Sequence, residues 1–147
     1  EHSLEVQVPF LQRVLEKFVL VPVIVGTTDL SLCKKLAAEL YEAIKDEKRK
    51  TALVISTDLS HYHPYDEAVR LDSRFIETLK AFDENALADL LECGTSEACG
   101  EGPLLAGLVL SKLMGATRAE ILRYANSGDT AGDRSQVVGY VSAVFVR

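Results

Sequence analysis

No apolar stretch in this chain reaches the roughly 18 residues of a membrane-spanning helix, so no span is expected. A basic excess is missing too. The 16 Lys and Arg are outnumbered by 22 Asp and Glu, a net charge of −6, which speaks against a nucleic-acid binder. The one cluster of basic residues, Lys45 to Lys50, is mixed in sign and reads as a solvated helix end. Three cysteines, Cys33, Cys93 and Cys99, are too few and too scattered for a disulfide framework. They fit a reducing, cytoplasmic setting, and neither signal nor transit pattern is visible. Familiar catalytic signatures are missing as well. Gly100 and Gly102 lack the third glycine of a dinucleotide fingerprint, and there is no phosphate loop and no His-Glu-x-x-His.

What remains is an ordinary globular composition. The 147 residues are 48% hydrophobic and 26% charged, enough for one α/β domain over 1–147 with its own core. The chain begins at Glu1 rather than Met, among residues that already look like part of a site. We therefore expect the C-terminal portion of a longer protein.

Periodicity orders the elements. Leu4, Val8, Leu11, Leu15 and Phe18 repeat at helical spacing, interrupted by Pro9. Val19 to Val25 is a β-branched run closed by Gly26 and reads as a buried strand, with Pro22 favouring an edge or an end. Leu32, Leu36, Leu40 and Ile44 make the next helical stripe, with Ser31 as N-cap. A strand over 52–56 follows, then helices over 66–82 and 84–92 and from Pro103 to about 114. Strands over 120–125 and 137–146 close the chain, joined by a polar loop over 127–135. The order α-β-α-β-α-α-α-β-β predicts a mixed-sheet α/β sandwich rather than a regular Rossmann alternation.

Chemistry is expected where the second strand stops. Leu53, Val54 and Ile55 run into Ser56-Thr57-Asp58-Leu59-Ser60-His61, and working groups in open α/β sheets sit past strand C-termini. His61 can move a proton near neutral pH, and Asp58 is near enough to orient it. The plain alternative is a surface histidine with Asp58 capping a turn. His63, beside Pro64, reads as a loop residue. Cys99 stands just before a helix, a setting that favours thiolate and hence a nucleophile or soft metal ligand; the alternative is a small residue in a tight turn. Cys33 reads as core filling and Cys93 as structural. His2 has Glu5 one turn away as an acceptor for its second nitrogen, though a terminal histidine alone means little. Ser60, His61 and Asp58 are too close in sequence to converge as a hydrolytic triad.

Together these places resemble the Memo-like proteins. The resemblance rests on Glu1-His2-Ser3-Leu4-Glu5 with Pro9-Phe10-Leu11 and on Val21-Pro22-Val23-Ile24-Val25-Gly26. It continues through Ser56-Thr57-Asp58-Leu59-Ser60-His61-Tyr62, Cys99-Gly100 with Pro103, Tyr124-Ala125-Asn126-Ser127 and Gly139-Tyr140. It covers the C-terminal part of that family, in order. It implies a fold shared with class III extradiol dioxygenases, non-haem iron enzymes that open catechol rings. It also implies that His2 and Cys99 are metal ligands, that the divalent metal is Fe(II), and that His61, with Asp58, is the catalytic acid/base. A further family histidine, well before Glu-His-Ser, has no counterpart here. Cysteine where the dioxygenases carry a carboxylate makes a softer, more oxidisable site.

Three functions follow as expectations. The first is a metal-dependent oxidoreductase related to the dioxygenases, acting on a small aromatic or other substrate. The second is a non-catalytic adaptor that binds a peptide or protein in the same pocket, or serves a radical-SAM partner protein. The third is metal-assisted hydrolysis with His61 activating water.

Overall fold

The computed structural model describes residues 3–147. Helix α1 spans Ser3–Val14 and α2 Leu30–Ile44. Strand β1, His61–His63, leads into α3 (Tyr65–Ala81), α4 (Glu84–Glu92) and α5 (Glu101–Leu113). Strand β2 (Arg118–Asn126), the short α6 (Ser127–Ala131) and β3 (Val137–Val146) complete the order. The sheet runs β1-β3-β2 and is antiparallel throughout, so this is a mixed α/β fold with a small sheet.

The long helices stand where apolar periodicity places them, and their caps explain the ends. Asp29, not Ser31, caps α2: its Oδ1 accepts from the Leu32 amide at 3.0 Å and from the Ser31 hydroxyl at 2.6 Å. Asp83 caps α4 by accepting from the amides of Asn85 and Ala86. Helix α5 starts two residues before Pro103, which therefore sits in the first turn, where a missing N–H costs nothing. Helix α1 stops at Val14, short of Leu15 and Phe18. The polar loop after β2 holds α6, stabilised by reciprocal bonds between Asn126 and Asp129.

Two expected strands are missing. Among the described residues, 19–25 and 52–56 belong to no sheet. Their β-branched composition is as read, but a strand exists only with a backbone partner, and among the described residues neither run is paired in a ladder. The mixed sheet therefore reduces to three antiparallel strands.

Both unpaired segments lie against α5. A Cβ on Gly102 would strike the Thr27 carbonyl, and one on Gly107 would overlap Ile55. Small residues on α5 thus seat the two segments at backbone distance. The core lies between the helices and the inner sheet face, around Leu59, Phe75, Leu79, Leu87, Leu105 and Leu108. Cys33 is fully buried in it, as expected of a small apolar filler, and burial pushes its thiol up. Phe82 and Phe145 close one end with ring centroids 5.3 Å apart.

Candidate metal centre

The second unpaired segment delivers its polar end beside the start of α5. Leu59 and Ser60 are fully buried and fasten it to the sheet. The Leu59 amide donates to the Gly139 carbonyl and the Gly139 amide to the Ser60 carbonyl, each at 2.9 Å. The Ser60 amide donates to the fully buried Asp72 carboxylate at 3.0 Å, and the Tyr124 hydroxyl donates to the same carboxylate at 2.7 Å. Burial, reinforced by that bond, pushes the Tyr124 phenol well above its ordinary value.

Past this anchor, Tyr62 adopts a left-handed backbone at φ 61°, uncommon for a side-chain-bearing residue. The β1–β3 register shifts between His61 and His63 at the same place. Such irregularities recur beside functional sites because they re-aim side chains. Here they separate the histidines. His63 Nε2 lies 2.9 and 3.1 Å from the two carboxylate oxygens of Glu97, so His63 is an anchored residue and not a plain loop position. Glu97 also accepts from the His61 amide at 3.3 Å, tying both histidines to the loop that carries Cys99.

Cys99 and Asp58 clasp each other. The Asp58 amide donates to Cys99 Sγ at 3.1 Å, and the Cys99 amide donates to the Asp58 carbonyl at 3.1 Å. The Thr57 hydroxyl accepts from the Gly100 amide and donates to the Asp58 carbonyl, each at 2.8 Å. Gly100 is needed at this crossing, because a Cβ there would meet Thr57 and the Ser56 carbonyl. The glycine beside Cys99 thus admits a neighbouring chain segment rather than a ligand.

One donor atom each from Asp58, His61 and Cys99 lies within 4.8 Å of the other two. Donors on a common tetrahedral zinc-like ion stand about 3.5 Å apart, so a contraction of about an ångström would complete a site. Imidazole, carboxylate and thiolate suit a first-row divalent ion of intermediate softness. His61 Nε2 is 3.8 Å from Asp58 Oδ2, beyond hydrogen-bond reach but within the distance of an ion pair with a protonated imidazole. Cys99 is exposed and His61 and Asp58 are half-buried, so the cluster opens to solvent. Tyr140, from β3, borders it: burial first, and then the nearby Asp58 carboxylate, pushes its phenol up. Cys93 is exposed and takes no part in the cluster.

Helix α1 begins at this edge. The Ser56 hydroxyl donates to the Ser3 carbonyl at 2.8 Å, and the Gln7 amide donates to Ser56 at 3.0 Å. His2, the ligand implied by resemblance, lies outside the described residues.

A family model described as Memo-like protein matches residues 1–144. The chain belongs to the Memo-like family. A MEMO1 family protein of Methanopyrus kandleri is 43% identical over 148 residues, covering 100% of this chain and 52% of the relative. A MEMO1 family protein of Sulfolobus acidocaldarius is 37% identical, covering 99% and 51%. One from Methanothermobacter thermautotrophicus is 39% identical, covering 95% and 50%. The chain thus spans about half the length of these relatives. Among the described residues, no helix is long and apolar enough to cross a membrane.

Sequence reasoning missed Thr57, Glu97 and Tyr140. Thr57 lies inside the motif already singled out. Tyr140 follows Gly139 in an apolar strand, and that pattern by itself marks it only as a strand residue. Glu97 sits two residues before Cys99, and nothing in the sequence links it to His63, 34 positions away.

Proposed function

We propose that this Memo-family chain is a metal-dependent oxidoreductase, related in fold to the class III extradiol dioxygenases, that acts on a small substrate. The observation that carries the reading is the convergence of Asp58, His61 and Cys99 on one small volume. In this reading the three side chains hold a divalent transition metal, Fe(II) in the first instance. Such an ion, when bound, supplies Lewis acidity and one-electron redox capacity.

The protein's own contribution is positional. Glu97 and the Asp72 anchor hold the His61 backbone from two sides, while Thr57 and the Asp58 amide fix the sulfur. Fixed donors lower the reorganisation needed when an ion or substrate arrives.

Metal analysis of the purified chain and its Asp58→Asn, His61→Gln and Cys99→Ala variants, with oxygen uptake on catechols, tests the proposal. Near-stoichiometric iron lost in Cys99→Ala, together with catechol-dependent oxygen uptake, supports it. Iron retained and uptake lost in His61→Gln would move His61 from metal binding to proton transfer. No first-row metal in the intact chain rejects it.

A further inference from the structure

His61 and His63 stand on either side of a strained backbone position. Between β1 and β3 the register passes from His61 opposite Val138 to His63 opposite Val137, two steps against one. Tyr62 is therefore the extra residue of a bulge. Its φ of 61° is the left-handed conformation that bulges ordinarily give to glycine. For a residue with a Cβ that conformation is disfavoured by roughly tenfold in population. Packing of the ring does not offset this, because Tyr62 is 70% exposed. The conformation has to be held through its neighbours.

Glu97 reaches both of them. Its carboxylate accepts from the His61 amide at 3.3 Å and meets His63 Nε2 at 2.9 and 3.1 Å, so one side chain straddles Tyr62. Glu67, at the other ring nitrogen of His63, stands 4.0 Å away, beyond hydrogen-bond reach. The loop that carries Glu97 is fastened on its own account. Ser96 is buried, and its hydroxyl donates to the Leu71 carbonyl at 3.1 Å. Cys99 and Gly100 are bonded to Asp58 and Thr57. Glu97 therefore pulls from a fixed base on both neighbours of the strained residue.

We infer that Glu97 is a positioning residue of the candidate metal centre: by holding Tyr62 left-handed, it aims the His61 imidazole at the volume shared with Asp58 and Cys99. The inference rests on the metal-centre reading and goes beyond it in naming what sets the donor geometry. Glu97 acts on the backbone of His61 and on the ring of His63. Without it, Tyr62 relaxes to a negative φ and His61 turns away from the cluster. Cys99 stays where it is, because its bonds to Asp58 do not pass through Glu97.

Cobalt(II) titration of the full chain tests this, read by affinity and by the sulfur-to-cobalt charge-transfer band. Glu97→Ala should weaken cobalt binding about tenfold, the scale of the strain no longer held. The band should persist at saturation, because the sulfur keeps its own bonds. Glu97→Gln can still accept from the His61 amide and bond the His63 ring, so it should stay within about threefold of the intact chain. Adding Tyr62→Gly to Glu97→Ala should restore affinity to within about threefold, since glycine adopts a positive φ without a steric penalty. A loss in Glu97→Gln equal to that in Glu97→Ala assigns the effect to charge and overturns the inference. A double variant that stays weak, or a saturated Glu97→Ala without the sulfur band, overturns it too. Normal uptake with no loss in Glu97→Ala overturns the inference alone. No cobalt uptake by the intact chain overturns the metal-centre reading and the inference with it.

Discussion

Removing the Asp72 carboxylate should loosen the loop that carries Asp58 and His61 while leaving the donors themselves in place. Asp72 is fully buried and receives two hydrogen bonds, from the Ser60 amide and the Tyr124 hydroxyl. Asp72→Ala strands both donors. An unsatisfied buried polar group costs about 1–3 kcal/mol, so the sum is about 2–6 kcal/mol, and about 4 kcal/mol is our working value. Asp72→Asn should cost far less, about 1 kcal/mol. Its oxygen can still accept from Ser60, while its amide donates to the tyrosine oxygen. Urea unfolding reads this directly. With slopes of about 1–3 kcal/mol/M, the alanine variant should lose about 2 M in midpoint and the asparagine variant well under 1 M. Native-state amide exchange at Leu59 to Tyr62 should quicken in the same order. If Asp72→Ala unfolds no earlier than Glu77→Ala, an exposed change on the same helix, Asp72 does not anchor this loop.

Tyr124→Phe should flatten the alkaline limb of stability. The folded-state value is raised, so the contribution is full below the tyrosine's ordinary value of about 10 and is lost as pH climbs towards the folded value. Denaturation midpoints between neutral and strongly alkaline pH check it, and equal slopes in both proteins would refute it. Glu84 is held below its ordinary value, chiefly by a hydrogen bond from Lys112 at 2.5 Å. Its contribution is therefore present above about 4.5 and lost as pH falls through the lower folded value, so Glu84→Gln should reduce acid sensitivity in a pH titration of thermal midpoints. Gly102→Ala should destabilise by about 1–3 kcal/mol in urea unfolding, because its methyl group would drive into the Thr27 carbonyl. Gly26→Ala has open space and should stay within about 0.5 kcal/mol.

The helices were legible because their signals are local. Apolar stripes mark α2 and α3, and the N-cap of α2 falls at Asp29 rather than Ser31, two residues apart and both good caps. The strands at 19–25 and 52–56 illustrate the opposite case. Their composition is unambiguous, yet pairing depends on a partner elsewhere, which no local pattern reports. At the site, Asp58 and His61 could be associated by proximity in sequence. Cys99, 38 positions from His61, entered through its place before a helix and through family resemblance. The bonds that bring it there, from the Asp58 amide and around Thr57, depend on how two distant loops cross.

The mutual grip of Cys99 and Asp58 gives the protein a built-in reporter. One amide proton points straight at the sulfur, so whatever draws electron density from that sulfur must change the proton's magnetic environment. Metal capture, alkylation and oxidation to a sulfenic acid are distinct chemical fates of the same atom. Each should move the Asp58 cross-peak by its own amount in a nitrogen–proton correlation spectrum. The state of the centre is thus readable from the backbone, with no substrate added.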